Sequence, residues 1–282
     1  MIQISDLNFG YRKKQMLFQK LNISLMPGNI YGLLGRNGAG KTTLLKIIGG
    51  LLNPVEGRCS FRGFPAFQRN PKSLEETVFL PDNSYLPPMK AAEYLNVYAP
   101  FYSRFSREKC MEYLENFEVP MTGKLSGLSF GQKKKFSIAF ALAANSKVLL
   151  MDEPTNGLDI PAKSIFRKLV ASSITDEKIF LVSTHQVKEM KNLIDPIIIL
   201  DEGRIVFHEP VHEIEKRYRI RFQLEKPDQV DTLYYESTPG GYVVLTENKG
   251  GFESEIDIEL LFNAVISRSG KMSSQFQKEA II

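Results

Sequence analysis

The sequence lacks the features that mark several large classes of protein. It has no tryptophan, and its only two cysteines, Cys59 and Cys110, lie far apart without a CxxC spacing. Sparse, separated cysteines argue against a disulfide-bonded secreted domain and predict two reduced thiols in the cytosol. With 20 glycines and 15 prolines in 282 residues, the chain is also not collagen-like or of low complexity.

Long apolar runs are missing too. The most apolar stretches, residues 148–151 and 197–200, are far shorter than the ~18 residues that a membrane-spanning helix needs. The N-terminus has no basic segment followed by an apolar stretch, so no signal peptide is predicted. A role at a membrane would therefore require membrane-spanning helices supplied by a partner.

Neither sign of charge dominates the chain. It has 36 Lys and Arg against 32 Asp and Glu, a formal net charge of +4, which does not indicate a nucleic-acid-binding protein. Hydrophobic residues make up 43% and charged residues 24%, as in ordinary globular proteins. The length predicts one large domain or two modest ones with a full core.

The spacing of apolar residues predicts an α/β fold. Alternation before Pro27 predicts an antiparallel N-terminal β-subdomain, and strands alternating with helices up to residue 207 predict a mostly parallel sheet flanked by helices. Residues 82–145 are predicted to form a helical subdomain. The other predicted strands are 30–34, 57–64, 147–151, 178–183, 197–200 and 203–207, and the other predicted helices are 41–52, 161–172 and 186–193.

A change of composition near residue 213 predicts a second, smaller domain. Short strands are predicted at 219–224, 232–236 and 242–246, with a hairpin turn at Pro239-Gly240-Gly241 and a helix at 256–267. We therefore expect a main domain over residues 1–213 and a small α+β accessory domain over 214–282. The residues after Gly270 are expected to be frayed.

Residues 35–42 read Gly-Arg-Asn-Gly-Ala-Gly-Lys-Thr and match the phosphate-loop pattern G-x-x-x-x-G-K-[ST] between an apolar strand and a helix. Glycines let backbone N–H groups surround phosphate oxygens, and the helix start favours an anion. Lys41 is predicted to reach the β- and γ-phosphates and Thr42 to bind Mg²⁺. The residues predicted to bind the nucleotide here are Gly35, Arg36, Asn37, Gly38, Ala39, Gly40, Lys41, Thr42 and Thr43.

Two carboxylates end the strand at residues 148–151. Buried acids are costly unless a cation pairs with them, and in a phosphate-loop enzyme that cation is Mg²⁺, so Asp152 is predicted to be a metal ligand. Glu153, one residue further on, faces a different way and is predicted to be the general base that takes a proton from an attacking water.

Four further motifs give the chain a resemblance to ABC-type ATPases. Leu-Ser-Phe-Gly-Gln at 128–132 resembles the family's LSGGQ signature, and Pro-Thr-Asn-Gly-Leu-Asp at 154–159 resembles its D-loop, which ends at Asp159. His185 follows a strand as the family's switch histidine does, and Tyr11 lies where the family stacks an aromatic ring on adenine. The motifs occur in the family's order over about residues 1–210.

This resemblance implies a P-loop NTPase fold, ATP and Mg²⁺ as cofactors, and catalytic roles for Lys41, Glu153 and His185. It also implies that the signature contacts the ATP bound by a second cassette. Ser129 and Gln132 have the spacing of a capping box at the start of a helix, whose dipole favours an anion. The predicted signature contacts are Ser129, Phe130, Gly131 and Gln132.

Two positions depart from the family pattern. Phe130 replaces a glycine of the signature, and its ring is expected to point away from the nucleotide. Asp82 stands where the family has the glutamine of the Q-loop, and is predicted to reach Mg²⁺ or its bound water, with Asn83 as the alternative. Lys133, Lys134 and Lys135 are expected to form a solvated basic face.

Residues 208–212 read His-Glu-Pro-Val-His, the pattern of zinc proteases. That chemistry needs both histidines on one face of a helix, and Pro210 disfavours helical geometry at Glu209. We therefore expect no zinc site and a helix that begins at Pro210.

The predicted function is that of the ATP-hydrolysing subunit of an ABC transporter, with export favoured over import. Its partners would be membrane-spanning subunits on separate chains and a second cassette, forming a homodimer or a heterodimer. The expected location is the cytoplasmic face of the cell membrane. Two alternatives stay open. One is a soluble ABC ATPase that acts on ribosomes or DNA, although nothing in the sequence suggests nucleic-acid binding. The other is a weakly active regulatory cassette.

Overall fold

The computed structural model describes residues 1–12, 15–190, 192–228, 231–251 and 255–267, which form three β-sheets with helices around them. The strands are β1 (Ile2–Phe9), β2 (Phe18–Leu25), β3 (Asn29–Leu34), β4 (Glu56–Phe61), β5 (Phe64–Pro65), β6 (Thr77–Leu80), β7 (Val148–Asp152), β8 (Ile179–Thr184), β9 (Ile197–Asp201), β10 (Arg204–Glu209), β11 (Tyr218–Gln223), β12 (Thr232–Thr238) and β13 (Gly241–Glu247). The α-helices are α1 (Lys41–Ile48), α2 (Pro71–Glu75), α3 (Ala91–Tyr98), α4 (Arg107–Asn116), α5 (Phe130–Ala143), α6 (Ile160–Ser173), α7 (Val211–Arg217) and α8 (Ile258–Ile266).

The central sheet has six strands in the order β10-β9-β3-β8-β7-β6. All of its neighbours run parallel except β10, which pairs antiparallel with β9. Strands β7 and β8 are buried along their whole length, as expected for a parallel sheet covered on both faces. The predicted mostly parallel α/β core is confirmed.

The N-terminal sheet is antiparallel, with strand order β2-β1-β4-β5, as predicted. Alternate residues of β1 and β2, such as Ile4 and Leu21, point into a core that they share with α1 and with one face of the central sheet. This packing fixes α1, and the loop that precedes it, against the carboxyl edge of the central sheet.

Three predicted elements differ from the structure. The helix predicted at 41–52 ends at Ile48, because Gly49 caps it and Gly50 takes a left-handed φ of 68°. The helix predicted at 186–193 is wrong: the residues described there form a 3₁₀ turn at Val187–Met190, and Asn192 takes a left-handed φ of 63°. The strand predicted at 57–64 is divided into β4 and β5 by a turn.

The C-terminal residues form a three-stranded antiparallel sheet in the order β11-β13-β12, and α8 packs on it. The predicted hairpin turn joins β12 to β13, where Thr238 pairs with Gly241. Buried residues of α8, such as Leu261, join the same continuous core as α5 and α6. The domain boundary at 213/214 stays a prediction, and the fraying predicted after Gly270 lies outside the described residues.

Cys59 and Cys110 are buried and not bonded to each other. Burial raises the pKa of each thiol to about 12, which keeps both in the protonated, unreactive form. In the part of the chain that the structure describes, no helix has the length and apolar character needed to cross a membrane.

Candidate nucleotide-binding site

A cleft of about 710 Å³ opens at the carboxyl edge of the central sheet. Strands β3, β6, β7 and β8 all end at this edge, which is where ligands bind in parallel α/β sheets. The cleft therefore collects residues that lie far apart in the sequence. Its lining includes Tyr11, Arg12, Gln15, Met16, Leu17, Arg36, Asn37, Gly38, Gly40, Lys41, Thr42, Thr43, Asp82, Asp152 and Glu153.

The phosphate loop connects β3 to α1 on one side of this cleft. Gly40 begins the helix with a φ of 110°, and a Cβ atom at this position would lie only 2.8 Å from the Phe18 ring, so no other residue fits without strain. No side chain caps the helix start, which leaves its N–H groups free for an anion. Gly35 and Ala39 belong to the same turn, although only their neighbours line the cleft.

Lys41 is buried, with 7% of its side chain exposed, and its ammonium donates to the carbonyl oxygens of Gly35 (2.8 Å) and Arg36 (3.3 Å). Burial lowers the pKa of Lys41, while the nearby Glu153 and Asp152 carboxylates oppose that shift. The ammonium is thus held by weak neutral acceptors, and a charged phosphate oxygen would be a stronger partner.

Three oxygen-bearing side chains meet at the end of β7. The hydroxyl of Thr42 donates to Asp152 Oδ2 (2.7 Å), and the hydroxyl of Ser183 donates to Asp152 Oδ1 (2.6 Å). Hydroxyl and carboxylate oxygens are the ligands that Mg²⁺ prefers, so Thr42 and Asp152 fit that ion. Ser183 was not among the predicted site residues, although a polar residue directly after the four apolar residues of β8 indicates a need for a hydrogen-bond partner.

Glu153 leaves the direction of β7, as the sequence predicted. Its φ of 45° lies in the left-handed region, which is costly for a residue with a side chain and is typical of functional sites. Its carboxylate lies 2.9 Å from His185 Nδ1 and 3.8 Å from Lys41 Nζ. The structure thus brings together all three residues predicted to be catalytic.

Tyr11 stands at the rim of the cleft with 65% of its surface exposed. Its hydroxyl shares a hydrogen bond with Thr43 Oγ1 (3.0 Å), and its ring meets Phe9 edge-on at 5.1 Å. These contacts anchor the ring at its edge and leave it at the mouth of the cleft, where a planar base can stack.

Asp82 lines the cleft, but it is not a free acid. Its Oδ1 accepts from Asn156 Nδ2 (3.2 Å) and from Lys134 Nζ (3.4 Å), and its backbone carbonyl also accepts from Lys134 (2.7 Å). Lys134 is buried, so the predicted solvated basic face is wrong at this position. Burial lowers the pKa of Lys134, and Asp82 opposes that shift.

The predicted capping box opens α5. The Ser129 hydroxyl accepts from the backbone N–H of Gln132 (3.3 Å), and Gln132 Oε1 accepts from the backbone N–H of Ser129 (3.0 Å). The Phe130 ring lies against Gly157, where an added Cβ would lie 2.3 Å from the ring, and it is half exposed. These residues do not line the cleft of their own chain.

Asp159 also lies outside the cleft. Its carboxylate caps α6 by accepting from the backbone N–H of Ala162 (2.8 Å), and it lies 3.3 Å from the ammonium of Lys135. This ion pair links the start of α6 to α5, so Lys135 has a partner within the chain.

The zinc-protease pattern is split between two elements. His208 and Glu209 belong to β10, which extends two residues beyond the predicted strand, whereas His212 belongs to α7. The two histidines therefore do not share a helical face, and the described residues contain no group of three or more metal-binding side chains.

Comparisons with known proteins agree with this geometry. A family model described as ABC transporter matches residues 18–156. The nickel import system ATP-binding protein NikE of Staphylococcus aureus (strain USA300) is 32% identical over 222 residues, which cover 76% of this chain and 92% of that protein. The ABC transporter ATP-binding protein NatA of Bacillus subtilis (strain 168) is 28% identical over 231 residues, which cover 77% of this chain and 93% of that protein.

A solved structure of a dimeric ATP-binding cassette, in a post-hydrolysis state with ADP and Pi bound, has the same fold. It superposes with a TM-score of 0.65 at 25% identity, over 74% of this chain and 98% of that one. One assignment follows from the phosphate loop, the acidic end of β7, the capped start of α5 and these similarities. The chain belongs to the family of ATP-binding subunits of ABC transporters.

Proposed function

We propose that the chain hydrolyses ATP and that this reaction powers transport through membrane-spanning subunits on separate chains. The observation that carries the proposal is the contact of Glu153 with both Lys41 and His185 beside the Thr42–Asp152 pair. A phosphate-binding cation, a candidate base and a metal-binding pair thus lie in one cleft, which is the set of groups that phosphoryl transfer requires.

The residues of the cleft have distinct proposed roles. The ATP phosphates would lie against the N–H groups of the phosphate loop, and Lys41 would exchange its two carbonyl acceptors for phosphate oxygens. Thr42 and Asp152 would hold Mg²⁺, with Asp82 as a further candidate, and the bound ion would offset the phosphate charge. Glu153 would take a proton from the water that attacks the γ-phosphorus as the bond to the β-phosphate oxygen breaks. His185 would orient the γ-phosphate.

A second cassette would complete the site. The exposed start of α5 carries Ser129 and Gly131 outside its own cleft, so it is available to the ATP of a facing cassette. Because each chain has one phosphate loop and one signature, two cassettes would form two composite sites. Closing on ATP and reopening after hydrolysis would move the membrane subunits, to which residues 82–145 would couple.

A pair of matched serine variants tests the role of the signature. Ser129 and Ser106 both cap a helix through their hydroxyls, at the start of α5 and α4 respectively. Ser129→Ala and Ser106→Ala are each expected to lower the free energy of unfolding by about 1 kcal/mol. Only Ser129→Ala is expected to reduce ATP turnover, because only that hydroxyl faces a nucleotide. Thermal unfolding and phosphate release measure the two effects.

Equal loss of turnover in both serine variants would contradict the proposed contact between Ser129 and ATP. It would show that cap loss alone, by destabilising a helix, accounts for the decrease. Unchanged turnover in both variants would likewise remove Ser129 from the site.

The transport role is tested by isolating the partners. We expect a tagged Glu153→Gln chain, purified from its own host in mild detergent with ATP, to retain a membrane protein with several spanning helices and a second cassette. This result would also place the chain at a membrane, as the expected location at its cytoplasmic face requires. Ribosomal or DNA-associated proteins without a membrane partner would contradict the proposal. Export stays a prediction, and the identity of the membrane partner would decide it.

A further inference from the structure

We propose that Lys134 is a positioning residue of the ATP site, which neutralises Asp82 and fixes this carboxylate at the edge of the cleft where the metal binds. The proposal deepens the ATPase function and rests on it. It also accounts for the departure at residue 82, where the family resemblance places an uncharged glutamine and this chain has an acid.

The burial of Lys134 is the first observation. Only 1% of its side chain is exposed, and an ammonium removed from water is very unfavourable unless acceptors surround it. The acceptors it has all come from one short segment, namely the carbonyl oxygens of Pro81 (3.4 Å) and Asp82 (2.7 Å) and the Asp82 carboxylate (3.4 Å). Lys134 therefore binds the segment that carries Asp82.

The position of Asp82 is the second observation. Its Oδ1 also accepts from Asn156, which lies in the loop just after Glu153. Asp82 thus joins three parts of the site: the end of β6, the loop after β7, and α5. Since Ser129 caps the start of α5, Lys134 connects the signature helix to the cleft.

The charges around Asp82 in the cleft determine how each substitution should change the affinity for Mg²⁺. An acid at 82 adds a negative charge beside Asp152 and Glu153, and Lys134 supplies the balancing positive charge. Removing the acid alone would make this part of the cleft more positive and weaken its attraction for Mg²⁺. Removing the lysine alone would make it more negative and strengthen that attraction. Removing both would restore the balance.

A double-mutant cycle tests this balance without relying on turnover. The Mg²⁺ concentration that half-saturates binding of a fluorescent ATP analogue is measured for the full chain and its variants. Asp82→Gln is expected to raise that concentration about threefold or more, and Lys134→Gln to lower it by a similar factor. The double variant should lie within about twofold of the wild type. Phosphate release should decrease about tenfold in each single variant and recover in the double variant.

Two further variants control the cycle. Lys133→Gln removes the same charge from the neighbouring position of α5 and is expected to leave the Mg²⁺ requirement unchanged. Lys134→Met keeps the buried stem and removes only the ammonium, so it replaces Lys134→Gln if that variant unfolds in a thermal scan.

The proposal is overturned if both single variants shift the Mg²⁺ requirement in the same direction. It is also overturned if phosphate release by the double variant falls by the two single losses combined, because the two residues would then act independently. A wild-type chain that neither binds nor hydrolyses ATP would instead refute the proposed function.

Discussion

Glu153→Gln is expected to lower ATP turnover by about 100-fold or more while leaving ATP binding intact, because general-base catalysis contributes about this factor. Glutamine keeps the size of the side chain, but its amide has one accepting oxygen where the carboxylate has two, and it takes no proton at neutral pH. Its contact with Lys41 also becomes weaker, so the ammonium is more available to phosphate. Phosphate release at saturating ATP and equilibrium nucleotide binding measure the two effects separately.

Glu112→Gln is the matched control for this change. Glu112 is an exposed carboxylate on α4, far in sequence from the phosphate loop. Its replacement by glutamine is expected to leave both turnover and nucleotide binding unchanged. Turnover of Glu153→Gln close to that of the wild type would remove Glu153 from the role of base. A loss of binding equal to the loss of turnover would give it a structural role instead.

Lys41→Met is expected to weaken ATP binding by about 100-fold, because a charge-assisted hydrogen bond contributes up to about 3 kcal/mol. The ammonium that would contact the phosphates is lost, whereas the buried stem is retained. Folding should be preserved, since an apolar group replaces a cation that burial already disfavours. Nucleotide titration and thermal unfolding of the unliganded chain measure these two properties.

Lys46→Met tests whether any lysine of the same helix would have this effect. Lys46 lies in the last turn of α1, away from the phosphate loop, and its replacement is expected to leave ATP affinity within about twofold. Similar losses of affinity in both variants would mean that helix charge, and not contact with phosphate, explains the result.

The position of the cleft could be predicted from the sequence because motif and fold are physically linked. The glycines of the phosphate loop, the acidic end of β7 and His185 each follow a strand of a parallel sheet. The carboxyl ends of such strands share one edge, so Lys41, Asp152 and Glu153 had to lie close together. The capping box at Ser129 depends only on local spacing, and it forms as predicted.

Features that depend on tertiary contacts could not be predicted in this way. The sequence of three lysines at 133–135 looks like a solvated face, yet packing of α5 against the segment before Asn83 buries the middle one. The stacking of Phe130 on Gly157 joins two motifs whose contact is not encoded by their spacing. The segment at 186–193 has a helical pattern, yet the residues described there form a 3₁₀ turn at Val187–Met190.

The hydrogen-bond partner of Asp152 could have been predicted from the sequence. Ser183 follows the four apolar residues of β8 and is fully buried, and a polar residue in that setting needs a hydrogen-bond partner, which is Asp152.

Mixing two inactive chains tests the proposal that ATP is hydrolysed in a site shared by two cassettes. One chain carries Lys41→Met and cannot hold the phosphates. The other carries Ser129→Glu, which places a negative charge where the facing γ-phosphate would lie. If the wild-type chain is inactive alone, the same two changes are placed in it and in the second cassette that copurifies with it.

Each inactive variant of this chain keeps the half-site that the other lacks. An equal mixture is expected to regain about a quarter of the wild-type rate of phosphate release, because half of the pairs are mixed and each mixed pair contains one complete site. No recovery at any mixing ratio, with both variants folded and the wild type active, would contradict a site built from two cassettes.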